Sequence, residues 1–344
     1  MTDAPDAREM VDWDLAVRLG AKLGGDGPVV SRTEADAVVA ELRADAGRAT
    51  GLVKEFTGLD AAADTAPVLV VDRAGWVQAN ADAFATVLAP VVDKLMQKKP
   101  PAGIARTVGA KVTGAEVGGL LGFLSGKVLG QFDPFFDPHG RLLLVAPNIV
   151  QVERELEVDP TDFRLWVCLH EETHRVQFTA VPWLRDHLFG EINALAATMD
   201  LPSLLDDGLT RAIEAIKGNG NLLDAVASPE QREIMDRVTG VMSLLEGHAD
   251  VVMDDVGPSV IPSVAEIREA FNRRRKGVGT LDRILRRLLG LEQKMAQYRD
   301  GAVFVRTVVD KAGMERFNAV FADAANLPSK EEIHHPKRWM DRVL

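Results

Sequence analysis

The chain has one cysteine, Cys168, in 344 residues, which excludes an internal disulfide framework and fits a reducing compartment. Basic residues are the minority: 40 Lys plus Arg stand against 51 Asp plus Glu, for a formal charge of −11. The single basic tract, Arg273 to Lys276, is too short to follow a phosphate backbone, so nucleic acid is not an expected partner. The N-terminal stretch MTDAPDAREMVDWDLAVRLG has no basic segment leading into an apolar one and does not read as a secretory signal. Long uncharged hydrophobic runs are missing too. The most apolar stretch, Val108 to Leu129, is interrupted by Lys111, Glu116 and Lys127, short of the roughly 18 apolar residues that a spanning helix requires. A membrane is therefore not an expected partner, and the expected location is the cytoplasm.

Strand signals are scarce. Val68 to Val71 and Leu142 to Val145 are short apolar runs bounded by turn-formers or charges, and each can form a strand of a small sheet. Helical period dominates the remainder, with amphipathic segments at roughly 12–23, 77–97, 104–130, 161–180, 183–199, 229–254, 280–299 and 302–325. Ser31-Arg-Thr-Glu34 and Ser263-Val-Ala-Glu266 have the capping-box pattern, the first opening a helix to about Thr57. Loops are expected at Gly218 to Asn221 and Gly277 to Gly279. Gly114, Gly118, Gly122, Gly126 and Gly130 recur at every fourth position, which on a helix makes a stripe where another helix of the same chain can approach closely. The expected fold is mainly α, multi-helical, with a small β element.

One helix carries chemistry. Thr161, after Pro160, can cap a helix through Phe163, Leu165, Trp166, Val167, Leu169, Val176 and Phe178, apolar on more than one side and so deeply buried. On it His170-Glu171-Glu172-Thr173-His174 places two imidazoles at i, i+4, about one turn apart, where both can bind one Zn²⁺. Glu171 sits beside them, placed as the general base that takes a proton from metal-activated water. The competing reading is a buried helix whose histidines are satisfied by hydrogen bonds. Glu172 points off the ligand face, and Arg175 reads as a structural ion pair.

A catalytic zinc takes a third protein ligand and keeps one position open. Leu245-Glu246-Gly247-His248-Ala249-Asp250 offers one: Glu246 and Asp250 share a helix face, so Glu246 can reach the metal while Asp250 holds a ligating histidine through its other ring nitrogen. His248 is the alternative ligand, although its spacing points it elsewhere. A single domain over residues 1–344 is expected, with any two lobes meeting at the metal site.

The paired motifs, His-Glu-Glu-Thr-His followed by Glu246-Gly-His-Ala-Asp250, resemble the gluzincin arrangement, which implies Glu246 as third ligand and Asp250 as its supporting acid. The chain as a whole resembles the bacterial zincin-like metallopeptidases labelled as associated with biosynthesis of the deazaflavin coenzyme. The matching stretches are Val11 to Val17, Val128 to Asp133, Leu144 to Asn148, Trp166 to Phe178, Glu246 to Asp250 and Gly290 to Tyr298. The resemblance implies a zincin-like fold and a zinc-dependent hydrolase acting on a peptide or small amide. It leaves open a metal-stapled scaffold without turnover, or a hydrolase of a non-peptide amide or ester in coenzyme metabolism.

Tyr298, the lone tyrosine, lies four residues after Lys294 on an expected helix and is the candidate to stabilise a developing oxyanion; the competing reading is a packed tyrosine with its hydroxyl satisfied. Leu144 to Asn148 is a candidate edge for an extended substrate, against a plain core strand. Cys168 points off the ligand face as a small buried hydrophobe, and His334 and His335 are expected to be exposed. Oligomeric state is not legible from the sequence.

Overall fold

The helical periodicity is realised along most of the chain in a computed structural model, which describes residues 10–61, 66–98, 104–136, 139–198, 228–276 and 291–344. Its long helices are α1 (Trp13–Gly24), α2 (Arg32–Thr57), α3 (Arg73–Lys98), α4 (Ile104–Ser125), α5 (Ala146–Leu156), α6 (Pro160–Ala180), α7 (Pro182–Thr198), α8 (Pro229–Asp255), α9 (Val264–Lys276) and α10 (Leu291–Ala312). Short helices α11 (Met314–Phe317), α12 (Lys330–His334) and α13 (Pro336–Val343) follow, and the strands are β1 (Val68–Val71), β2 (Gly130–Asp133) and β3 (Arg141–Val145). The fold is mainly α with a small sheet, as expected. The expected loops at 218–221 and 277–279 lie outside the described residues.

Boundaries moved where local chemistry decided them. Asp159, not Thr161, caps α6: its carboxylate accepts from the Asp162 amide at 2.9 Å, and Pro160 takes the first helical position, where a missing N–H costs nothing. Ser31 caps α2 as expected, accepting from the Glu34 amide at 3.1 Å. Ser263 does not cap α9. Its hydroxyl donates instead to Asp162 at 2.6 Å. Helix α4 stops at Ser125 because the chain then turns into β2, and α10 runs through residues read as two helices. Helix α5 was not expected at all; Pro147 sits in its first turn, where proline is tolerated.

The chain divides into two compact units, Met1–Arg185 with His248–Val278, and Asp186–Gly247 with Gly279–Leu344. In the first unit the sheet order is β1-β3-β2, with β1 parallel and β2 antiparallel to β3. All five residues of β3 are buried. Helix α2 lays Leu42, Ala46, Ala49 and Val53 into the same core as Phe163, Trp166 and Leu169 of α6. That packing encloses an ion pair: Arg175 Nε donates to Glu172 Oε1 at 2.8 Å and Oε2 at 2.9 Å, and Thr50 of α2 donates to Glu172 Oε1 at 2.7 Å. With Glu172 fully buried, loss of either partner would strand a charge, which costs about 3–5 kcal/mol. The glycine stripe works within the chain. A Cβ at Gly118 would lie 2.6 Å from the Ala16 carbonyl, and one at Gly122 would lie 2.9 Å from the Gly20 carbonyl, so α4 meets the backbone of α1 where its own side chains are missing.

In the second unit Phe304 of α10 meets Trp339 of α13 edge-on at 5.5 Å, and the Trp339 indole donates to the Asn326 carbonyl at 2.7 Å. A Cβ at Gly247 would meet the backbone of Ala302 at 2.5 Å, so the part of α8 in this unit and α10 cross backbone to backbone. Such a crossing leaves no room for a side chain at Gly247.

Asp45 stands out in the first unit's core. It is buried, and its Oδ2 has no hydrogen-bond partner among the described residues. Burial pushes its carboxyl up to about 6, with Glu41 adding to the rise and Arg48 and Arg164 opposing it. A folded-state value above the unfolded one means the native protein holds a proton that the unfolded chain releases, so stability falls as pH rises from about 4 to about 6. Asp45→Asn should therefore raise the melting temperature above wild type at pH 7.5 and leave it unchanged near pH 4. Equal gains at both pH values in thermal melts would contradict this.

Candidate metal centre

Helix α6 turns its apolar residues into the core and leaves His170 and His174 half-buried, while Leu169, Thr173 and Val176 between and beyond them are buried. The i, i+4 spacing brings the two imidazoles together with ring planes at 88° and centroids 4.8 Å apart. Their Nε2 atoms converge to 3.3 Å. Two nitrogens held about 2.0–2.1 Å from one tetrahedral ion lie roughly 3.3–3.4 Å apart, so the approach has the spacing of shared ligation.

Glu246 completes the group: one ligand atom from each of His170, His174 and Glu246 lies within 4.8 Å of the others. Two residues further along the same uninterrupted helix α8, His248 is hydrogen-bonded to Gln177 of α6. Two imidazoles and one carboxylate suit zinc and leave a coordination position open, so the residues present fit the ion.

Glu171 follows His170 directly and is buried, with 7% of its surface exposed. Strand β2 passes over it at Gly130, where a Cβ would lie 2.5 Å from Glu171 Cγ and 2.6 Å from Cδ. Gly130, the last of the five spaced glycines, is thus the space in which the Glu171 carboxyl rests. The antiparallel register of Gly130 with Leu144 holds it there.

The structure redistributes the other expected roles. Asp250 does not support a ligating histidine: its Oδ1 accepts from Arg268 Nη1 at 2.8 Å. Arg268 also donates to Asp254 at 2.6 Å and lies 5.1 Å over the Trp166 ring, so a cation between two acids has captured the expected supporting residue. The side chain that meets His174 is Gln177, with Oε1 3.0 Å from His174 Nδ1. Sequence reasoning passed over Gln177, although its i, i+3 spacing from His174 was a usable signal. His248 stands outside the three-residue group. It is fully buried, and burial pushes its imidazole down to about 3, with the charge of His174 adding to the fall.

Tyr298 and Lys294 lie on α10, but their side chains are outside the described residues. Of the two readings of Leu144 to Asn148, the substrate edge is excluded and the core strand holds through Val145, because β3 is the central strand with β1 and β2 on its two sides and Ala146 onward is helix. Cys168 is buried, and burial raises its thiol well above the ordinary value, as befits an inert core residue. His334 and His335 are exposed.

The sequence pattern of the zincin-like metallopeptidases matches residues 11–340. The chain belongs to that family. Membership implies a divalent metal, typically zinc, and a hydrolase. Among solved structures, a protein of Chloroflexus aurantiacus described as a candidate hydrolase with a novel fold is similar at 30% identity. It superposes with a TM-score of 0.72, over 96% of this chain and 98% of that one. No curated protein matches this zincin-like sequence. No helix among the described residues is long and apolar enough to cross a membrane.

Gly130→Ala in this zincin-like protein should leave thermal stability and zinc content near wild type, because the nearest obstacle is a flexible side chain, while displacing Glu171. A crystal structure of the variant with Glu171 unmoved would contradict the assignment of Gly130 as its resting place.

Proposed function

We propose that the chain is a zinc-dependent hydrolase of the gluzincin arrangement that cleaves an amide bond in a peptide or small amide. The observation that carries this reading is the convergence of His170, His174 and Glu246 beside a buried carboxylate, Glu171, that is not one of the three. In this reading both histidines bind through Nε2 and Glu246 through its carboxylate. Zinc, when bound, acidifies water and polarises a carbonyl.

Glu171 takes the proton from the attacking water and then delivers it to the leaving amine. Its burial under Gly130 restricts it to a short arc beside the ligand pair, so one carboxylate can serve both proton transfers. Substrate direction is supported by β2, whose outer edge pairs with no strand among the described residues. An extended peptide added along that edge would run past Gly130 and Glu171. Tyr298 is the proposed stabiliser of the developing oxyanion.

The test is zinc content together with amide hydrolysis on a peptide library. Glu171→Gln should keep near-stoichiometric zinc and lose roughly 10²–10⁴-fold in rate, whereas Glu246→Ala should lose zinc itself. Full hydrolysis by Glu171→Gln, or unchanged zinc in Glu246→Ala, would overturn the assignment.

A further inference from the structure

His174 and His248 are joined by one amide. Gln177 places Oε1 3.0 Å from His174 Nδ1 and Nε2 3.0 Å from His248 Nδ1. Gln177 and His248 are fully buried. An amide oxygen only accepts hydrogen bonds and an amide nitrogen only donates them, whereas each nitrogen of a neutral imidazole does one or the other. The proton positions on the two rings are therefore tied together.

In the observed orientation His174 carries its proton on Nδ1, which donates to Gln177 Oε1. Its Nε2 is then a bare lone pair, converging with His170 Nε2. Gln177 Nε2 donates to His248 Nδ1, which leaves the His248 proton on Nε2. If the amide turns over, every assignment reverses. His248 then donates from Nδ1, Gln177 donates to His174 Nδ1, and the His174 proton moves to Nε2, where it occupies the lone pair a metal needs. The coupling holds whichever way the amide is turned, because it follows from the two contacts and not from the choice of orientation.

We propose that Gln177 is a positioning residue that couples the ring tautomer of buried His248 to the metal competence of His174, so that zinc binds only with the His248 proton on Nε2. This rests on the metal centre of the proposed function. A carboxylate at 177 would accept from both rings and could not impose this constraint; the amide makes His248 part of the metal site without touching the metal.

The test uses the full-length chain with nitrogen-15 histidine and zinc alone as probe. Long-range proton–nitrogen NMR spectra of the zinc-loaded wild type should show His174 protonated on Nδ1 and His248 on Nε2. Gln177→Leu should weaken zinc binding roughly 10- to 100-fold in chelator competition. Gln177→Glu should recover affinity relative to Gln177→Leu and move the His248 proton to Nδ1, a switch that a merely structural role would not produce. Zinc-loaded wild type with His248 protonated on Nδ1 would overturn the proposal, even if no variant folds, and so would Gln177→Leu binding zinc as tightly as wild type. Wild type that binds no zinc would overturn the metal centre itself, and this proposal with it.

Discussion

One helical turn sets the site. The separation of His170 from His174 along α6 is what brings two imidazole nitrogens to 3.3 Å, and that geometry survives only if the helix neither bends nor rolls. Its core face is therefore committed: Phe163, Trp166 and Leu169 are locked against α2, and the buried Glu172–Arg175 pair with Thr50 fixes the roll of α6 about its own axis. An apolar contact alone would tolerate small rotations. The bond from Thr50 of α2 to Glu172 does not, because a rotation of α6 would pull the buried carboxylate away from its partner on the other helix.

The small sheet serves the same helix from the other side. Strand β3 is wholly buried and carries β2 along one edge, and β2 brings Gly130 over Glu171 at a distance that only a missing side chain allows. The proposed base and the proposed histidine ligands are thus positioned by different elements: the histidine spacing is intrinsic to α6, whereas the restriction of Glu171 comes from a strand pairing. Beneath the histidines, Gln177 links His174 to His248 through an uncharged amide. An amide avoids burying a further charge where Glu171 and Glu172 already bring two carboxylates into α6.

What the sequence made legible follows the reach of each signal. The 3.6-residue period and the i, i+4 histidines are local, so α2, α6 and α8 and the convergence of the two imidazoles could be read directly, and the glycine stripe announced a close helix crossing that α1 and α4 make. Strand β2 was missed because Gly-Gln-Phe-Asp has neither alternation nor β-branching and exists through its pairing with β3. The part given to Asp250 failed for a tertiary reason: Arg268, on α9, reaches back between Asp250 and Asp254, and no spacing rule on α8 predicts a competitor from another helix. Gln177 was legible in principle, three residues from His174, but an amide draws less attention than an acid when a metal ligand needs support.

The central claim is that His170, His174 and Glu246 hold one zinc ion and leave a coordination position open. A crystal structure of the zinc-loaded protein, with anomalous scattering recorded at the zinc edge, tests it most directly. The account predicts a single anomalous peak about 2.0–2.2 Å from His170 Nε2, His174 Nε2 and a Glu246 oxygen, with a fourth position taken by solvent. A peak elsewhere, or a fourth protein ligand closing the site, would contradict it.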